Sequence, residues 1–271
     1  MSTMDPASIT IETFRKIFEA GKRFDGRKLL DFRELYIDYT VSKNAEGSAR
    51  VKLGKTEVVV GVKLTIDKPY PDSMEKGNLM VSGDFLPLAS PRIEHGPPKF
   101  TAIEMPRLVD RAVRESGMID LKKLVITPGE KVWTVIIDIY PINDDGNLID
   151  AATIGAVVAL KNAYVPGIKE NGTVDYKHRT KNKIPLSSET YPLSFSFYKM
   201  GNAILLDPTR EEEELCDVRI SLAVSKWNKQ YMINSCQKTG DATLSKEEIE
   251  RVSELLPKKY DELNEKLKSF L

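Results

Sequence analysis

The chain has 271 residues, and its 40 Lys and Arg are balanced by 40 Asp and Glu, so any contact with nucleic acid has to come from a local basic stripe rather than from net charge. Two cysteines, Cys216 and Cys236, exclude a disulfide framework, and with only His95 and His178 beside them they lack the spacing of a zinc site. No apolar run approaches the length of a membrane span and no basic start precedes one, which is the pattern expected of a soluble, cytoplasmic protein.

Ile11, Phe14 and Phe18 recur at helical spacing before Gly21, which predicts a short helix within an N-terminal segment 1–30; a turn follows at Phe24-Asp25-Gly26-Arg27. Leu35, Ile37, Tyr39 and Val41 alternate, as do Ala49, Val51 and Leu53, and residues 56–66 are nearly all apolar or β-branched. With Gly47 and Gly54 at the turns, these read as three strands of an antiparallel meander. Polar loops are expected over 67–78 and 87–99, the second carrying Pro87, Pro91, Pro97 and Pro98. Of the aromatic residues that could stack on bases (Tyr36, Tyr39, Tyr70 and Phe100), Tyr39 lies on the apolar phase of its strand and is expected in the core.

Thr101-Ala102-Ile103-Glu104 has capping-box form and opens a helix to Ser116, closed by Gly117, with Pro106 expected to kink or restart it. At about 100° per residue, Arg107, Arg111 and Arg114 share an arc of about 60°, opposite Leu108, Val109, Ala112 and Val113. Such a stripe can hold successive phosphates; alternatively, Asp110 meets Arg114 and Arg107, and Arg111 meets Glu115, in ordinary surface pairs. Residues 132–142 read as a buried strand. A turn at Asp144-Asp145-Gly146 leads to a small-residue helix through Ala151, Ile154, Val157, Val158 and Leu160, with Asp150 as its expected N-cap.

Residues 166–190 are polar and basic, and are expected to be a linker between halves 31–165 and 191–271; the run Lys177-His178-Arg179-Thr180-Lys181-Asn182-Lys183 reads as a solvated loop. Beyond it, 193–198 and 203–206 flank Gly201-Asn202 as a hairpin, and 218–224 supplies another strand. The acids Asp207, Glu211, Glu212, Glu213, Glu214 and Asp217 are expected to form a solvated turn, with metal binding or a partner contact as the alternatives. Ser245-Lys246-Glu247-Glu248, a second capping box, starts a final helix that buries Ile249, Val252, Leu255 and Leu256 before Pro257 interrupts it. The pattern is α+β in two halves.

Asp25-Gly26-Arg27 with Asp31-Phe32-Arg33, Gly47-Ser48 before Val51, Gly54-Lys55-Thr56 before Val58-Val59-Val60, and the strand, turn and helix after Trp133 together resemble the RNase PH family over nearly the whole chain. The resemblance implies an RNase PH-like fold of two packed βα subdomains, ribosomal protein S5 domain 2-like. Within the family, Ile103-Glu104, the run from Arg107 to Ser116, and Leu206-Asp207-Pro208-Thr209 followed by Glu211 to Glu214 resemble the non-catalytic ring subunit of the archaeal exosome. Catalytic members carry a Gly-Thr/Ser-Arg phosphate cradle at the strand-to-helix junction, where this chain has Asn147-Leu148-Ile149 and no cation. They also place two aspartates after a Leu-Asp strand end to hold a divalent ion, where here Pro208-Thr209 redirects the chain.

What the resemblance implies is therefore a chain with no catalytic residue, metal or cofactor of its own. It would pair with a catalytic RNase PH-like subunit, three pairs closing a ring that degrades single-stranded RNA from its 3′ end by phosphorolysis under a cap of S1 or KH proteins. In that setting Arg107, Arg111 and Arg114 become the expected RNA-binding residues, with Arg92 and Lys99 extending the path. Two other readings remain open at this stage: an active phosphorolytic exoribonuclease, and a stand-alone RNA-binding module.

Overall fold

The computed structural model describes residues 8–187 and 190–271; the first seven residues of the expected N-terminal segment lie outside it. Helix α1 (Ser8–Glu19) carries Phe14 and Phe18 and closes over a small cluster with Met200, Ala203 and Leu205. The meander forms as expected: β1 (Leu35–Tyr39), β2 (Gly47–Leu53) and β3 (Thr56–Asp67) pair antiparallel in order, and β3 pairs with β6 (Lys131–Asn143). A strand not foreseen, β4 (Asn78–Gly83), runs parallel to β6, and short β5 (Val125–Thr127) pairs with β6 beside it. Asn78-Leu79-Met80-Val81-Ser82-Gly83 opens and closes on residues that disfavour strands, so its local signal is weak; pairing with the long β6 decides it.

Helix α2 (Phe100–Glu115) joins β4 towards β6, and α3 (Leu148–Lys161) follows β6. A second sheet has the order β10-β9-β11-β12, from β9 (Pro192–Met200), β10 (Ala203–Leu206), β11 (Val218–Trp227) and β12 (Gln230–Thr239). Helix α3 lies between the two sheets, against β2 and β3 on one side and β9 on the other. That position explains its sequence: residues 148–160 are all buried, and only small and aliphatic side chains fit a helix covered all round. Gly47 marks the closest crossing, where a Cβ would fall 2.2 Å from the Ala159 carbonyl oxygen.

Several expectations are corrected. Helix α2 begins at Phe100 with Lys99 at its N-cap and no side-chain cap bond, because Glu104 is buried and bound elsewhere; the helix runs through Pro106 unbroken. The N-cap position of α3 is held by Asn147, which makes no side-chain cap bond, and not by Asp150, which sits in the first turn. Helix α5 (Lys246–Leu267) has the foreseen Ser245–Glu248 capping box but continues through Pro257, burying Val252, Leu256, Tyr260, Leu263 and Leu267 while Ile249 stays exposed. Tyr39 is 55% exposed, since it ends an edge strand just before Thr40 turns at φ 61, and α3 covers β2 and β3 rather than β1. The expected linker contains β7 (Tyr164–Ile168) and β8 (Val174–Lys183), which pair as an antiparallel hairpin.

Candidate functional site

The motifs scattered through the sequence converge on the N-terminus of α3. Asn147 takes the left-handed conformation there (φ 57), donates its backbone N–H to the Glu213 carboxylate at 2.9 Å, and donates its side-chain amide to Asp207 Oδ1 at 2.9 Å. Asp207, fully buried at φ 53, also accepts from Arg33 through its backbone N–H (2.7 Å), Nε (3.0 Å) and Nη2 (2.7 Å), and from Arg27 Nη1 (3.2 Å). Arg33 reaches on to the carbonyls of Asp145 (2.8 Å) and Gly146 (3.1 Å) and to Thr56 Oγ1 (3.2 Å). Arg23 pairs with Glu212 and donates to the carbonyls of Leu206 (3.0 Å) and Asp207 (2.9 Å).

Thus Arg27, Arg33 and Asn147, all far from Asp207 in sequence, gather around it, and Thr56 joins through Arg33 to complete one largely buried ionic centre. The acids expected in a solvated turn are divided by the fold. Thr209 caps α4 (Arg210–Leu215) in a capping box with Glu212, which turns Glu212 and Glu213 inward and leaves Glu211 and Glu214 exposed. The Thr209-x-x-Glu212 spacing was the available sequence signal for this helix. Among the described residues, no three His, Cys, Asp or Glu side chains are grouped to hold a metal ion.

A carboxyl group of the chain itself already occupies the α3 N-terminus. The partial positive charge there favours a negative group, and Glu213 accepts the N–H of the N-cap residue Asn147. Burial raises the Glu213 pKa even though Asn147 and Tyr198 donate to it. Asp150, one turn along, is fully buried and pushed up to about 7 by burial, against hydrogen bonds from the Ser196 N–H (3.1 Å) and hydroxyl (2.9 Å). Arg33 loses water as well, but the Asp207 carboxylate outweighs that loss and raises its pKa. The turn leaves no room beside it: a Cβ on Gly146 (φ 86) would lie 2.6 Å from the Thr209 carbonyl carbon.

The arginines of α2 are all exposed, while Leu108, Val109, Ala112 and Val113 are buried on the opposite side. Arg107 has no hydrogen-bond or ion-pair partner among the described residues. Arg114 pairs with Asp110 at 2.6 Å, as its spacing suggested, and also donates to the Leu79 carbonyl. Arg111 ignores Glu115 and instead approaches Gln237 Oε1 (3.2 Å) and the Cys236 carbonyl (3.4 Å) on β12. Glu104 accepts from Arg219 (2.6 Å) and Thr239 (2.7 Å), which ties α2 to the second sheet. Arg92 pairs with Asp144 and Glu214, and Lys99 with Glu94.

Residues 31–166 match the 3′ exoribonuclease family, domain 1, and residues 190–255 match domain 2, so the chain belongs to this RNase PH family. Among individual relatives, it is 41% identical to the Exosome complex component Rrp42 of Methanocella arvoryzae over 96% of both chains, and 41% identical to that of Thermococcus onnurineus over 98% of this chain and 97% of the other. A chain of the Archaeoglobus fulgidus exosome with RNA bound to the active site superposes with a TM-score of 0.86 at 38% identity, covering 96% of this chain and all of the other. A chain of an archaeal exosome core gives 0.81 at 35% identity over 96% of this chain and 98% of that one. The RNase PH-like fold of the sequence reading is therefore the fold of the molecule.

Proposed function

We propose that this chain is a non-catalytic ring subunit of an archaeal exosome, pairing with a catalytic RNase PH-like subunit in a phosphorolytic ring of three such pairs. The observation that carries the reading is the Glu213 carboxylate on the Asn147 N–H. Where catalytic relatives would hold phosphate, this chain has one of its own carboxyl groups and the apolar pair Leu148-Ile149. A second anion there would have to displace the Glu213 carboxyl from the Asn147 N–H.

The same reading assigns Arg107, Arg111 and Arg114 to the RNA path, supported by their shared exposed face and the unpaired state of Arg107. It divides the chain into two halves around 166–190, supported by family matches that end at 166 and resume at 190. S1 or KH proteins would cap one ring face, and the complex would work in the cytoplasm; among the described residues no helix is long and apolar enough to cross a membrane.

The test is phosphorolysis by the purified chain on single-stranded RNA with phosphate and magnesium, alone and with its catalytic partner. Nucleoside diphosphates are expected only in the mixture. Their release by the isolated chain, after contaminating nuclease is removed, would overturn the non-catalytic assignment.

A further inference from the structure

The basic run at 177–183 reads from sequence as solvated chain, yet it belongs to the second strand of the β7–β8 hairpin. Within 164–183, Lys169, Lys177, Arg179, Lys181 and Lys183 outnumber Glu170 and Asp175, in a chain with no net charge. Register shifts at Tyr164/Pro166 and Pro166/Gly167 bulge β8, and Tyr176, Lys177, His178, Lys181 and Lys183 all stand exposed. Under the hairpin lies a cleft of about 300 Å³, lined by Lys43, Glu46 and Lys63 on one side and Tyr164, Tyr176 and His178 on the other.

The cleft is built from fixed parts. Lys63 Nζ sits 4.2 Å from the Tyr176 ring centroid and is held by Glu46 Oε1 and the Asn44 carbonyl, both at 2.8 Å. The Tyr176 hydroxyl donates to the Leu64 carbonyl at 3.2 Å, which anchors the ring at the rim. Lys183 Nζ sits 4.3 Å from the Tyr164 centroid. Aromatic faces charged from one side, with the exposed Lys177 and Lys181 on the same strand as Tyr176 and His178, suit a ligand with both a π-face and a phosphate.

We propose that this cleft is a second contact site for single-stranded RNA, with Lys177 and Lys181 on the sugar-phosphate backbone and one base against Tyr176 and His178. A nucleotide-sized cleft with aromatic walls favours RNA over an acidic peptide, which cations alone would satisfy. The hairpin follows the C-terminal end of α3, so the length of that helix, about 21 Å, separates the cleft from the sealed junction at Asn147. RNA held there is gripped away from the family's reaction centre. The site rests on the exosome reading only for the source of its RNA.

The test uses the intact isolated chain, so it reads independently of ring assembly and of phosphorolysis. Binding of a mixed-sequence single-stranded oligonucleotide is measured by anisotropy at several salt concentrations, and a 4-thiouridine version is photo-crosslinked and mapped. Lys177→Glu with Lys181→Glu should weaken binding about tenfold near 0.1 M salt and lower the salt slope by about 1.4, or 0.7 per lost contact. Tyr176→Ala should weaken binding with the slope unchanged, and Tyr176→Phe should restore it. Crosslinks should fall within 164–183 and persist in Arg107→Glu with Arg111→Glu. Unchanged melting temperatures verify folding of each variant.

An equal loss from Lys246→Glu with Lys258→Glu on α5 would show only general charge repulsion and overturn the site. Crosslinks absent from 164–183 would overturn it too. So would competition by polyglutamate without measurable RNA binding, which would make the hairpin a dock for an acidic protein segment.

Discussion

Asp207 gathers two arginines and an asparagine in the interior, and its backbone is held at φ 53 to do so. Asparagine tolerates that backbone, so Asp207→Asn tests the charge more than the geometry. Loss of the carboxylate strips the buried Arg33 of its nearest counter-charge and leaves it only Asp145 at 3.4 Å, while the half-buried Arg27 keeps Asp25 at 2.7 Å, so the expected cost is about 3 kcal/mol in urea unfolding of the isolated chain. Assembled complexes that retain the variant should still turn over RNA at near the original rate, because the residue organises this chain and touches no substrate in the proposed role. Abolished turnover in an intact assembly would make Asp207 chemical after all.

Asp150 gives a pH signature of definite sign. Its folded pKa is pushed up to about 7 by burial, whereas in the unfolded chain it titrates near the ordinary carboxylate value. Between roughly pH 4 and pH 7 the unfolded state is therefore ionised while the folded state keeps its proton, so stability falls as pH rises through that window and is flat above it. Asp150→Asn removes this contribution, on the order of 4 kcal/mol across the window. Denaturant unfolding of both proteins from pH 4 to pH 8 should show the wild type losing stability relative to the variant; parallel curves would show that Asp150 is charged in the fold.

At the scale of elements, α2 carries two jobs on two faces. Its buried face and Glu104 bind it to β4 and to β12, while Arg107, Arg111 and Arg114 face outward. Arg107→Glu with Arg111→Glu should weaken RNA binding by the assembled complex across unrelated sequences and lower its salt slope by about 1.4, with assembly retained. If these arginines serve only as surface partners, the variant loses about 0.5 kcal/mol per contact and RNA affinity is unaltered.

Element ends were harder to read than element interiors. Thr101-x-x-Glu104 and Ser245-x-x-Glu248 are equivalent patterns in sequence, yet only the second caps its helix, because Arg219 and Thr239 draw Glu104 into the protein. Pro106 and Pro257 both lie inside continuous helices, where tertiary packing of the apolar face outweighs the missing backbone donor.

At the scale of the molecule, the sheets end in open edges that carry exposed apolar side chains: Tyr36 and Tyr39 on β1, Met80 on β4, and Met232 and Ile233 on β12. Open edges are a liability that partner subunits cover in a ring. Equimolar catalytic RNase PH-like subunit should therefore raise the thermal midpoint of this chain and merge the two unfolding transitions. Two unshifted, independent transitions in differential scanning calorimetry would count against the pairing.

The α+β class, the meander, the β9–β10 hairpin and the buried nature of α3 were legible from sequence, because alternation and small-residue runs report burial through local periodicity. The missing Gly-Thr/Ser-Arg cradle was equally plain at Asn147-Leu148-Ile149. Which charges are buried was not. Arg23, Arg27, Arg33, Asp207 and Glu212 meet across separations of up to 189 residues, and no local pattern encodes such pairing. For the same reason β4, β12 and the hairpin in the expected linker emerged only in three dimensions: their residues have weak or polar strand signals, and it is the hydrogen bonds of a neighbouring strand, supplied by tertiary structure, that make them strands.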